Sequence, residues 1–150
     1  MAASTILKYP LNDVAIGTVI YNNVSNTDFT TTSGQADSLA TVPINVGVYY
    51  CYGSYTIAPT GTVDLRGASL MCQNSADVMV GNSTIFGLGG NTAETEYSAV
   101  IEGISTLTFQ MMLVVDTADN FNFYGLSIWL PNSGSTLVRS GWSLVIVKAG

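Results

Sequence analysis

Short apolar runs broken by turn residues recur along the whole chain, and apolar positions nowhere return at helical spacing over a useful length. That pattern predicts strands. The clearest is the last, Gly141–Lys148, where Leu144, Val145, Ile146 and Val147 run without a polar break and three of the four are β-branched. A strand that does not alternate is expected to be covered on both faces. The final strand should therefore lie inside the fold, with the earlier strands assembled around it.

The remaining runs follow in order. Residues 1–13 read as an extended arm, broken by Pro10, ahead of a single domain over 14–150. Val14–Tyr21 predicts a first strand and Asn22–Ser38 a long polar loop. Leu39–Ile44 predicts a short strand, put at an edge by Pro43. Val46–Ile57 and Thr62–Cys72 read as a hairpin about the turn residues Ala58–Gly61. Val78–Val80 and Thr84–Phe86 flank Gly81-Asn82, which suits another tight hairpin. Tyr97–Ile101, Thr106–Val115, Phe121–Leu130 and Ser135–Arg139 complete the set. Eight to ten short strands with turn signals between them imply an all-β sandwich or barrel.

Composition sharpens this picture. The chain has 150 residues, 47% of them hydrophobic and only 9% charged, where soluble chains carry about 25% charged residues. So few charges suggest that part of the surface is covered by further copies or by a partner. The net charge is −6, and the cations Lys8, Arg66, Arg139 and Lys148 are scattered. Nucleic acid is disfavoured as a partner, because phosphate binding needs a basic patch. No run predicts a membrane span, and the first residues do not have the form of a secretion signal, so synthesis in a cytoplasm as a free-standing product is expected. There is no histidine, which excludes His-based triads and His-ligated metals. Cys51 and Cys72 sit in apolar stretches and read as buried free thiols. A bridge between them stays open at this point.

Three motifs together resemble the jelly-roll domain of the C1q and tumour-necrosis-factor family. They are Val46-Gly47-Val48-Tyr49-Tyr50, the stretch Asp64-Leu65-Arg66 through Leu70-Met71-Cys72, and Ser140-Gly141-Trp142-Ser143-Leu144. The resemblance spans roughly residues 40–150 and implies an antiparallel jelly-roll sandwich that assembles as a homotrimer. There is no collagen-like stalk. Compact trimeric jelly rolls of this kind resemble bacteriophage capsid decoration (cement) proteins and the heads of tail fibres. The resemblance thus implies a structural protein on a virion surface, made in the host cytoplasm, that binds a major capsid protein or another virion protein. The alternative is a receptor- or glycan-binding head.

No constellation here predicts an enzyme or a cofactor. Asp116, Asp119 and Asn120 place three oxygen ligands in one turn, as a hard cation could use. Their spacing is not that of a calcium loop, and such residues make turns by bonding their own backbone. Glu94 and Glu96 read as solvated charges. Tyr49 and Tyr55 should share one face of their strand and Tyr50 and Tyr52 the other. Tyr50, Tyr52 and Trp142 are the candidates for an oligomer interface. The arm residues Ile6, Leu7, Lys8 and Tyr9 are candidates for an anchor on a sister subunit or a shell protein.

Overall fold

The computed structural model describes residues 14–59, 61, 63–87, 99–101, 105–130 and 137–150. Within them the chain forms nine strands and no helix: β1 (Val19–Thr31), β2 (Ala36–Ile44), β3 (Gly47–Pro59), β4 (Val63–Gln73), β5 (Met79–Gly87), β6 (Ala99–Ile101), β7 (Ser105–Val115), β8 (Asp119–Leu130) and β9 (Leu137–Lys148). One sheet has the order β1-β9-β3-β7. The other has the order β2-β8-β4-β5, with short β6 also on β4. All pairings are antiparallel. They are nested: β1 pairs β9, β2 pairs β8, β3 pairs β7 and β4 pairs β5. The chain is one long ribbon doubled back on itself and rolled so that successive pairs fall in opposite sheets. That is an antiparallel jelly-roll sandwich.

Period-two alternation builds the core. On β7, Phe109, Met111, Leu113 and Val115 are buried, while the residues between them are exposed. On β3, Tyr49, Cys51, Tyr55 and Ile57 point inward. They meet Leu65, Ala68, Leu70 and Cys72 of β4 and Phe121, Phe123 and Trp129 of β8 in one continuous cluster. The Tyr55 hydroxyl crosses the sandwich and donates to the Leu126 carbonyl at 3.3 Å, tying β3 to β8. The link between β1 and β2 is pinned in the same way. Ser33 Oγ donates to the Trp129 carbonyl at 3.1 Å and accepts from the Trp129 N–H at 2.9 Å.

The final strand is internal, between β1 and β3, as its composition predicts. Its two faces differ from expectation. Leu144 and Ile146 are fully buried, while Val145 and Val147 point outward and are half-buried. Its beginning also differs, because the described part of the expected strand Ser135–Arg139, residues 137–139, is not separate from it. β9 runs on from Leu137, and Gly141, at φ +89°, takes up an irregularity in its registers with β1 and β3. Glycine enters that region of backbone space without strain.

Three other expectations are corrected. The polar segment 22–38 is mostly strand: β1 runs to Thr31 and β2 starts at Ala36. Asn and Asp are poor strand formers alone, but β1 is an edge that needs only β9 on one side, and the ladder with β9 overrides local preference. β3 and β4 are not a hairpin, since they lie in different sheets. Gly81-Asn82 is not a turn but the middle of β5, where Gly81 lies against Met111, Leu113 and Cys72. Pro43 does sit on an edge strand, β2.

Candidate interaction surfaces

One end of the sandwich gathers the links 45–46, 74–78 and 116–118, the last residues of the chain and residues 14–18, through which the arm joins the domain. Its geometry is well fixed. Lys148 is buried at the end of β9, where its Nζ lies 5.0 Å from the Tyr49 ring centroid and donates to the Val46 carbonyl at 3.2 Å. The Tyr49 hydroxyl donates to the Asn45 carbonyl at 2.9 Å. Gly47, at φ +152°, leaves room for the Lys148 side chain, which a Cβ there would strike. Gly150 accepts from the Val48 N–H at 2.9 Å, so the end of the chain extends the β3 ladder.

That end is apolar at its tips. Ile16, Val46, Val78, Met79, Val80 and Val114 are all exposed there. A cleft of about 290 Å³ lies between the 74–80 and 114–121 segments, lined by Asn74, Val80, Val114, Asp116, Asp119 and Phe121 among others. Loop tips this apolar, held by a rigid scaffold, mark a contact surface.

The second candidate surface is the outer face of the β1-β9-β3-β7 sheet. The registers put Val147, Tyr50 and Met112 in one row and Val145, Tyr52 and Gln110 in the next. Val48 and Val114 flank the first row. Ser143, Ser54 and Thr108 follow the second. The rings of Tyr50 and Tyr52 lie 5.3 Å apart. Tyr52 is 40% exposed, Met112 53% and Val114 60%. The Tyr50 hydroxyl donates to Gln110 Oε1 at 2.6 Å, and the Ser54 and Ser143 hydroxyls share a hydrogen bond of 3.1 Å.

The sequence-predicted sites fall as follows. Tyr50 and Tyr52 do share an outward face, opposite the buried Tyr49 and Tyr55. Trp142 does not join them. It stands across from inward-facing Tyr55, is half-buried and packs against the core. Its register with both neighbours is regular from Trp142 to Ile146, so it takes the face of Leu144 and Ile146, and the unbroken apolar run 144–147 does not announce which face is inward. Asp119 is committed mainly to the neighbouring 74–78 link and not to its own turn. Its Oδ2 accepts from the Ser75 N–H at 3.0 Å and the Ser75 hydroxyl at 2.8 Å, and its Oδ1 accepts from the Asn120 N–H at 2.8 Å. The Ser75 hydroxyl and these N–H groups hold its carboxyl below the usual carboxylate value. Cys51 and Cys72 are buried free thiols on opposite sheets. Burial pushes both up to about 12, and the proximity of Cys51 adds to the effect on Cys72. The arm residues Ile6, Leu7, Lys8 and Tyr9, and Glu94 and Glu96, lie outside the described residues. The apolar tips of 78–80 are the surface that sequence reading missed. Val78-Met79-Val80 looks like an ordinary core strand until β5 is seen to begin at the rim.

No protein-family model matches the chain, and no curated protein does. Solved structures do. A chain in the structure of infectious bursal disease virus, Gx strain, superposes with a TM-score of 0.56 at 13% identity, over 87% of this chain and 32% of the viral one. A chain of T=1 particles derived from the same virus gives 0.53 at 14% identity, over 87% and 31%. The VP2 subviral particle of that virus gives 0.51 at 13% identity, over 87% and 32%. This chain spans about a third of the length of those viral chains. At such identity the likeness is one of fold, and it supports the jelly-roll sandwich that the strand order defines.

Proposed function

We propose that this protein is a structural component of a virion, a trimeric jelly roll that decorates the surface of a phage capsid and reinforces it. It acts by binding and not by catalysis. The observation that carries this reading is the apolar rim of Val46, Val78, Met79 and Val80, at the same end as residues 14–18. Arm and loop tips can therefore engage one shell together, with the major capsid protein or another virion protein as partner. Three copies would multiply a weak individual contact through avidity. The jelly-roll chains in particles of infectious bursal disease virus support the setting, because they place this fold in virus particles. The likeness to the C1q and tumour-necrosis-factor family rests on its three short motifs and adds the trimer. Synthesis in the host cytoplasm and display on the virion surface go with this reading.

The alternative is a receptor- or glycan-binding head. A shallow groove of about 130 Å³ beside Trp142, lined by Val24, Asn26, Ser54, Thr56 and Ser143, is the feature that favours it.

Binding to particles stripped of this protein separates the two. Val78→Asp and Met79→Asp lie on exposed tips and should leave the melting temperature unchanged while abolishing co-sedimentation with shells. Full retention of shell binding by both variants, or capture of a glycan by the wild type with no affinity for shells, would overturn the decoration reading.

A further inference from the structure

We infer that the arm, residues 1–13, folds back along the free edge of β1 and lays its apolar side chains in the seam between β1 and β2 of its own subunit. This is the state of the chain before it meets any partner, so it holds whether or not the decoration reading does. Under that reading, a shell takes the arm from this groove.

β1 and β2 are the edge strands of opposite sheets. The link 32–35 joins them at one end of the sandwich. Towards the other end the sandwich stands open. A pocket of about 260 Å³ there is lined by Ile20 and Tyr21 of β1, Val42 and Pro43 of β2, and Asn45 and Tyr49. None of these is charged. The Tyr49 hydroxyl is spent on the Asn45 carbonyl, and the Tyr21 hydroxyl accepts from Asn23 Nδ2 at 3.3 Å. The surface left over is apolar. The opening runs on along β1: Asn23 pairs with fully buried Leu144 and so faces inward, yet it is exposed.

The edge of β1 is also unguarded. Among the described residues β1 pairs with β9 alone. Its 13 residues hold no proline and one charged side chain, Asp28. Long edges are ordinarily blunted by charge, proline or a cover, because their free N–H and C=O groups recruit another strand. β2 carries Pro43 on its edge, and β1 has no such residue.

The chain's own path supplies the cover. The Thr18 N–H donates to the Ala15 carbonyl at 3.0 Å and Gly17 has φ +90°, the geometry of a type II turn. Such a turn reverses the chain, so the residues before Ala15 head back antiparallel to β1. β9 already holds one side of β1, which leaves them the seam side. The arm has the pattern for that place. Leu7, Tyr9 and Leu11 alternate with Lys8, Pro10 and Asn12, which in an extended segment puts three apolar side chains on one face. Pro10 lacks an N–H, and an outermost strand tolerates that on its free side. Leu11 lies as far before Ala15 as Asn22 lies after Thr18, so the turn brings it back beside the pocket. Tethered this closely, the arm meets the groove at a roughly millimolar effective concentration, above that of a second chain in dilute solution.

The test is paramagnetic relaxation enhancement by NMR on the full chain with Lys8→Cys carrying a nitroxide. Lys8 falls on the face turned away from the seam, and the buried Cys51 and Cys72 stay unlabelled. Amides of Tyr21–Ser25 and Leu39–Val42 should lose their signals. Adding Leu7→Asp and Leu11→Asp should restore them with an unchanged circular dichroism spectrum. A nitroxide chain refolded together with isotope-enriched wild type should leave the wild-type seam signals intact. Seam signals that survive in the nitroxide chain overturn the inference. So does a loss that persists in the Leu7→Asp/Leu11→Asp chain, or one that appears only in the mixed sample, which would give the groove to a sister's arm. No shell is present in these samples, so the decoration reading can fail while this one stands.

Discussion

Replacing Gly53 by alanine tests the close approach at the centre of the β1-β9-β3-β7 sheet. In an unhindered strand this change gains about 0.5–1 kcal/mol, because alanine loses less backbone freedom on folding. Gly53 is hindered. It sits between Phe109 on β7 and Leu144 on β9. A Cβ there would fall on the Ser143 carbonyl, 2.7 Å from its carbon, and 2.8 Å from Phe109 Cζ. The phenyl ring can swing aside, but the carbonyl belongs to the neighbouring backbone. Relief therefore means parting β3 from β9. Overpacking alone costs about 1–3 kcal/mol, and each ladder bond given up adds about 1 kcal/mol. A net loss of about 3 kcal/mol is expected, which for a chain of this size lowers Tm by about 6–12 °C. Thermal and urea unfolding followed by circular dichroism reads it. Gly61→Ala is the control, since nothing lies within 4 Å of a Cβ there, and it should stay within about 0.5 kcal/mol of wild type. A Gly53→Ala protein as stable as wild type would show that β3 and β9 are not this close.

Other outcomes follow from the same geometry. Cys51 and Cys72 should react with a thiol reagent only after unfolding, and mass spectrometry finding them bridged would contradict the free thiols. Their folded values, raised from 9.0 to about 12, mean that the folded state holds these protons more tightly. The thiols' contribution to stability should therefore be flat below about pH 9 and fall as pH rises towards 12, a fall that Cys51→Ala/Cys72→Ala should reduce. Asp119 titrates the other way. Its depressed value means that its hydrogen bonds to Ser75 are kept above the ordinary carboxylate range and lost only in stronger acid, and an NMR midpoint at or above 3.8 would refute this. Tyr55→Phe removes the hydroxyl that reaches Leu126 and should cost about 1 kcal/mol, read by urea unfolding, with no change pointing to an idle contact. Removing Gly141–Gly150 should abolish cooperative melting, because β1 loses most of its one ladder and β3 loses one of its two partners.

The sequence carried the fold class because alternation on β7 and the dense apolar run of β9 are local signals. It also carried the division of the tyrosines, since Tyr49 and Tyr55 against Tyr50 and Tyr52 follow from period two alone. It did not carry β1, whose Asn, Ser and Asp residues form a strand only because β9 offers a ladder. Nor did it carry the sheet assignment of β4. A short link after β3 looks the same whether it turns back as a hairpin or crosses to the other sheet, and only long-range pairing with β8 settles which. Trp142 was misplaced because the unbroken apolar run 144–147 does not say which alternate positions face inward, and Trp142 follows Leu144 and Ile146. The apolar rim was hidden because Val78, Met79 and Val80 carry core-like side chains at the very start of a strand.

The most direct test of the proposed virion role is electron cryomicroscopy of purified particles of the virus that, on that proposal, encodes this chain, at a resolution that separates strands. Nine-stranded density should stand on the outside of the shell, with the 45–46, 74–80 and 116–118 segments and residues 14–18 turned towards it. Density confined to a fibre tip, absent from the particle, or standing on the shell by the opposite end of the sandwich would contradict that proposal.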